Sequence, residues 1–84
     1  MMTEAEWAEL KERRMASIRT SIETLRANAE PKLRRYRFGK LKGQINELRI
    51  VGLFTQAEAM ELGRATDKAR QEAWEAAPDA AQDK

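Results

Sequence analysis

Apolar side chains recur every three or four residues in three stretches of this chain, and start and stop signals separate the stretches. In the first, Trp7, Met15, Ile18, Ile22, Leu25 and Ala29 form one line, with Leu10 on its shoulder. From Met15 the steps are three, four, three and four residues, which places these side chains on one helical face. Thr3 precedes the run, and Glu6, three residues on, completes the pattern of a capping box. Glu9 and Arg13, four apart in the favourable order, support the solvent face. The spacing predicts a helix over residues 4–28. It must end near Pro31, because an interior proline removes a hydrogen bond and costs roughly 3 kcal/mol or more.

Proline is well tolerated in a first helical turn, so a second helix is expected over residues 31–51. Its stripe is Phe38, Leu41, Ile45, Leu48 and Val51. Gly39 and Gly43 each weaken it by roughly 1 kcal/mol relative to alanine. A loop at Gly39 is the alternative, and the unbroken stripe favours one helix. Gly52 ends the segment, and Thr55 with Glu58 repeats the capping-box pattern. A third helix follows over residues 56–77, with Ala59, Leu62, Thr66, Ala69 and Ala73 on one face and Met60 and Trp74 beside it. The alanines allow a neighbouring helix to approach closely. Pro78 stops this helix and leaves residues 78–84 as a frayed polar tail.

The fold class read from this pattern is all-α. Residues 1–77 form one helical domain of three main helices, arranged as a small bundle or a long helical hairpin. The expected core is Leu10, Met15, Ile18, Ile22, Leu25, Phe38, Leu41, Ile45, Leu48, Val51, Leu53, Phe54, Met60 and Leu62. Two paths remain open at Gly52. If the chain runs straight on, helices two and three make one arm antiparallel to helix one, and Trp7 meets Trp74. If it reverses, Trp74 returns toward residues 32–42. At 84 residues the core is thin, and without cysteine no disulfide reinforces it. A homodimer is one expected route to more buried area.

Charge adds a feature that the apolar pattern does not carry. Residues 32–42 hold Lys32, Arg34, Arg35, Arg37, Lys40 and Lys42, with no acid and with Tyr36 and Phe38 interleaved. The whole chain is only +2. Residues 1–31 hold six acids and five bases, and residues 43–84 hold eight acids and five bases, so the positive field is local. Such a block suits an acidic protein surface or a phosphate backbone. It also occupies the N-terminal half of its helix, where the macrodipole disfavours cations. Arg35, Gly39, Lys42 and Gly43 are expected roughly opposite the apolar stripe.

Catalytic chemistry finds little footing. With no cysteine and no histidine, thiol and serine triads lack their groups, and the commonest metal ligand is absent. No glycine-rich phosphate loop or calcium-loop spacing occurs. The acid clusters Glu4, Glu6, Glu9 and Glu58, Glu61 fall in first helical turns, where the dipole explains them. No catalytic, cofactor or metal residue is assigned. Apolar runs are too short for a membrane span and the start is acidic, so no membrane is expected and the cytoplasm is the default compartment.

Within residues 41–70, Leu48, Gly52, Leu53, Thr55 and Glu58 stand at the spacing of two leucines, a Gly-Leu/Ile-Ile-Thr turn and a following glutamate. This resembles the short helical hairpin called the SHOCT domain, with Phe54 in place of the usual isoleucine. After Glu58 the chain departs from it, since Ala59, Met60, Glu61 and Leu62 replace the usual aromatic and lysines. The resemblance implies a docking or oligomerisation module without catalytic residues. The same stretch also allows a helix-turn-helix with its turn at Gly63, although Asp67, Glu72 and Glu75 on the would-be recognition helix would repel phosphates. The functional expectation is a non-enzymatic adaptor or inhibitor. It would dock on an acidic protein surface through Lys32, Arg34, Arg35, Tyr36, Arg37, Phe38, Lys40 and Lys42. The alternative is a nucleic-acid-binding regulator that sets the same bases on phosphates.

Overall fold

Three helices, α1 (Glu4–Arg26), α2 (Pro31–Ile50) and α3 (Gln56–Ala76), make up the structure, a computed structural model that describes residues 1–77. The tail expected over 78–84 lies outside the described residues. Each helix starts where its cap dictates. At α1 the Thr3 hydroxyl accepts from the Glu6 N–H at 3.1 Å, and the Glu6 carboxylate accepts from the Thr3 N–H at 2.9 Å. Thr55 and Glu58 repeat the arrangement at α3, at 3.1 and 2.8 Å. At α2, Pro31 opens the first turn, and the Glu30 carboxylate caps it by accepting from the N–H groups of Lys32 and Leu33. That carboxylate also sets a negative charge against the helix N-terminus, which partly offsets the cost of the cations that follow.

Gly39 and Gly43 lie inside one continuous α2. The chain then reverses. Gly52 takes a φ of 86°, a left-handed conformation that glycine adopts without the Cβ penalty. Its N–H donates to the Arg49 carbonyl, and the Leu53 N–H donates to the Leu48 carbonyl, each at 3.0 Å. These two bonds are the Schellman closure of a helix C-terminus. Phe54 follows and is buried. The reversal sends α3 back along α2, so the three helices run up, down and up. Trp7 and Trp74 therefore lie at opposite ends and do not meet.

The core contains Ile18, Ile22 and Leu25 from α1, Leu41 and Ile45 from α2, Leu53 and Phe54 from the turn, and Ala59, Leu62 and Ala69 from α3. Leu10, Met15, Phe38 and Leu48 pack against it half-buried. The small side chains of Ala59, Ala69 and Ala73 let α3 press close to its neighbours, and the buried Thr66 hydroxyl is satisfied by the Leu62 carbonyl at 2.7 Å. Two expected core residues lie elsewhere. Val51 is 61% exposed, because α2 ends at Ile50 and the chain turns away before Val51 can face inward. Met60 is 49% exposed, because it stands about 100° around the helix from Ala59 and outside the alanine stripe.

Gln56–Ala76 is one uninterrupted helix through Gly63, which removes the helix-turn-helix arrangement. Among the described residues no helix is long and apolar enough to cross a membrane.

Candidate functional site

The basic block is contiguous in sequence but not on the surface. A helix turns about 100° per residue, so eleven consecutive residues pass round it about three times. Lys32, Arg35, Tyr36, Arg37 and Lys40 are exposed. Tyr36 is the most open of the aromatic side chains, at 64%. Lys42 and Phe38 are half-buried on the side toward α3.

Arg34, expected among the exposed basic residues, is buried instead. It is 2% exposed, and its guanidinium donates to the carbonyl oxygens of Asn28 at 3.3 Å and Ala73 at 3.4 Å. It stands seven residues before Leu41 and fourteen before Leu48, on the inward line of α2. The side chain therefore ties the start of α2 to the ends of the other two helices. Lys42 also departs from expectation. It lies on the flank of α2, not opposite the apolar stripe, and reaches Asp67 of α3 at 3.1 Å. The crossing passes over Gly63, where a Cβ would stand in ordinary contact with the Lys42 Nζ, at 3.6 Å. Gly39 and Gly43 do face open space, as expected.

Ion pairs distribute charge unevenly around the bundle. Three carboxylates of α3 are paired with α1: Glu58 with Lys11 at 2.7 Å, Glu61 with Arg19 at 3.4 Å, and Glu72 with Arg26 at 2.7 Å. Arg26 also holds Glu23 on its own helix. On the opposite flank of α3, two clefts toward α2 are lined by Arg34, Arg35, Lys42, Arg49, Arg64 and Arg70, and by one acid, Asp67. Among the described residues Lys42, Arg49, Arg64 and Arg70 line these clefts against Asp67, on a molecule whose net charge is +2. Folding has thus paired Glu58, Glu61 and Glu72 of α3 with α1 and set Arg64 and Arg70 beside the bases of α2.

Arg49, Arg64, Arg70 and Trp74 extend this surface beyond the residues that sequence reasoning selected. A signal for one of them was present, because Arg35, Lys42 and Arg49 are spaced seven apart, about 10.5 Å per step along a helix. Those on α3 had none, since their meeting with α2 depends on the reversal at Gly52. Phe38 lies beneath this surface, with the Arg70 Cζ 4.2 Å and the Lys42 Nζ 5.7 Å from its ring centre. Its π-face lies against both cations. Trp74 is 43% exposed and lines the cleft that holds Arg35 and Arg70.

Among the described residues no three side chains of metal-ligating type come together. No family model, curated protein or solved structure matches the chain.

Proposed function

We propose that the protein is a non-enzymatic binding protein, an adaptor or inhibitor, that docks on an acidic surface of a partner protein through α2 and its edge with α3. One observation carries this reading. The charge of the bundle is segregated: Glu58, Glu61 and Glu72 of α3 are paired with α1, and among the described residues the α2–α3 clefts set Lys42, Arg49, Arg64 and Arg70 against Asp67. A cationic face of this kind steers encounter and fixes orientation. Affinity then needs apolar or aromatic anchors, and Tyr36 on the exposed side of α2 and Trp74 in the α2–α3 cleft supply exposed aromatic area. The SHOCT-like pattern at residues 41–70 agrees with a docking role and adds no catalytic group.

A specific observation favours the second reading, a nucleic-acid partner. Arg35, Lys42 and Arg49 form a row along α2 at steps of about 10.5 Å, with Arg64 and Arg70 across the cleft, a spacing that a phosphate chain could follow. Asp67 interrupts that row and occupies Lys42, which weakens the phosphate reading.

The test is capture from extract with the tagged full chain, with and without nuclease, beside a Lys32→Glu, Arg37→Glu, Lys40→Glu variant. The reading predicts a protein that stays bound after nuclease and is lost with the variant, whose melting temperature stays that of the parent. Loss of all bound material on nuclease treatment would put nucleic acid first. Unchanged capture by the triple variant would reduce those three bases to a solvated face.

A further inference from the structure

Between the middle of α2 and the first half of α3 lies an open cleft of about 490 Å³. Its floor is apolar, made by the buried Ile45 and Ala59. Met60 stands on its α3 side with about half of its surface open to solvent. Beside Met60, Gly63 lacks a side chain and leaves that wall low. The Lys42–Asp67 bridge crosses from one helix to the other and closes one end.

Two arginines line the cleft from opposite helices, Arg49 on α2 and Arg64 on α3. Neither makes an ion pair among the described residues. Arg49 is held in position by its bond to the Asn46 side-chain oxygen at 2.9 Å. An apolar floor between two charge-unmatched cations selects its occupant by chemistry. A basic or neutral segment would leave both guanidiniums without carboxylates. A bare phosphate chain would leave Ile45, Ala59 and Met60 without an apolar contact. Methionine, unbranched and polarizable, suits a surface that must adapt to an incoming side chain.

We infer that this cleft seats an acidic segment of the partner protein, which buries one apolar side chain against Met60 and the Ile45–Ala59 floor and sets carboxylates on Arg49 and Arg64. The inference rests on the proposed protein-docking role and adds to it the class of segment recognised and the place where it sits. Shape and charge here share one site: the apolar contact supplies residence time, and the two arginines reject segments of the wrong sign.

The experiment is an NMR titration of the isotope-labelled full chain with three probes. The first is a short synthetic peptide with two leucines four residues apart among glutamates. The second is its counterpart with lysine for glutamate. The third is a short oligothymidylate. The expected result is amide shifts from the acidic peptide at residues 45–49 and 59–64, none from the lysine peptide, and a loss of affinity of roughly tenfold or more in Arg49→Glu and Arg64→Glu. Both variants change exposed side chains, and their unchanged melting temperature separates lost binding from lost fold. Shifts confined to Tyr36 and Lys40 would overturn the cleft and leave the docking role standing. Shifts from the oligothymidylate alone would overturn both. Absence of shifts with every probe, or occupation of the cleft by a second copy seen as a dimer in light scattering, would overturn the inference.

Discussion

A guanidinium removed from water costs free energy unless its donors find partners. At Arg34 they reach the carbonyl oxygens of Asn28 and Ala73, which joins three helix ends through one side chain. Replacing Arg34 by methionine keeps much of the apolar stem but strips these bonds. The expected loss is about 2–4 kcal/mol of unfolding free energy, read from urea denaturation. Arg37→Met, at an exposed position on the same helix, should stay within about 0.5 kcal/mol of the parent. Equal midpoints for the two variants would remove the structural role assigned to Arg34. Charge-reversal tests of docking must therefore leave Arg34 unchanged, because its loss would mimic lost binding by unfolding. The burial was partly legible in the sequence, since Arg34 lies on the heptad line of Leu41 and Leu48. Counting charge along the chain hid it, because charge density ignores the direction in which a helix points each residue.

Helix boundaries were the most legible feature, for a local reason. Both capping boxes, Pro31 and Gly52 act through bonds within a few residues, so their chemistry can be read without knowing the fold. The direction taken after Gly52 was not legible, because a glycine stop permits several exits. It is the burial of Leu53 and Phe54 and the docking of the alanine face of α3 that choose reversal. The three glycines of α2 and its turn then separate by experiment. A Cβ at Gly39 or Gly43 meets nothing within 4 Å, so Gly39→Ala and Gly43→Ala should each raise stability by about 0.5–1 kcal/mol through helix propensity. Gly52→Ala has room for its Cβ but the wrong φ, and should lower stability by about 1 kcal/mol. Calorimetry on the three variants checks the order. A loss of stability at Gly39 or Gly43 would mean that α2 is not continuous and open-faced at these glycines.

For the molecule as a whole, the absence of histidine removes the side chain that ordinarily titrates between about pH 5 and 8. The pH response must come from carboxylates. Glu6 is held below the usual carboxylate range by the Thr3 backbone N–H, and then by the Thr3 hydroxyl. Glu58 is held below it first by Lys11, and then by the Thr55 backbone N–H. A carboxylate whose folded pKa is depressed stabilises the native state fully above its unfolded pKa, near 4.3 for glutamate, and loses that contribution as pH falls through the lower folded value. The melting temperature should therefore be flat from about pH 8 to 6 and fall in acid, below about pH 4.5. Glu58 carries more of this than a surface acid would, since one carboxylate both caps α3 and joins it to α1. Glu58→Gln keeps an oxygen for the cap but removes the charge that holds Lys11. It should melt lower than the parent at neutral pH and lose less on acidification, so that the two curves converge at the acid end. Curves that stay parallel down to pH 3 would show that the α1–α3 edge is held by packing and that its ion pairs contribute nothing measurable, as many exposed pairs do.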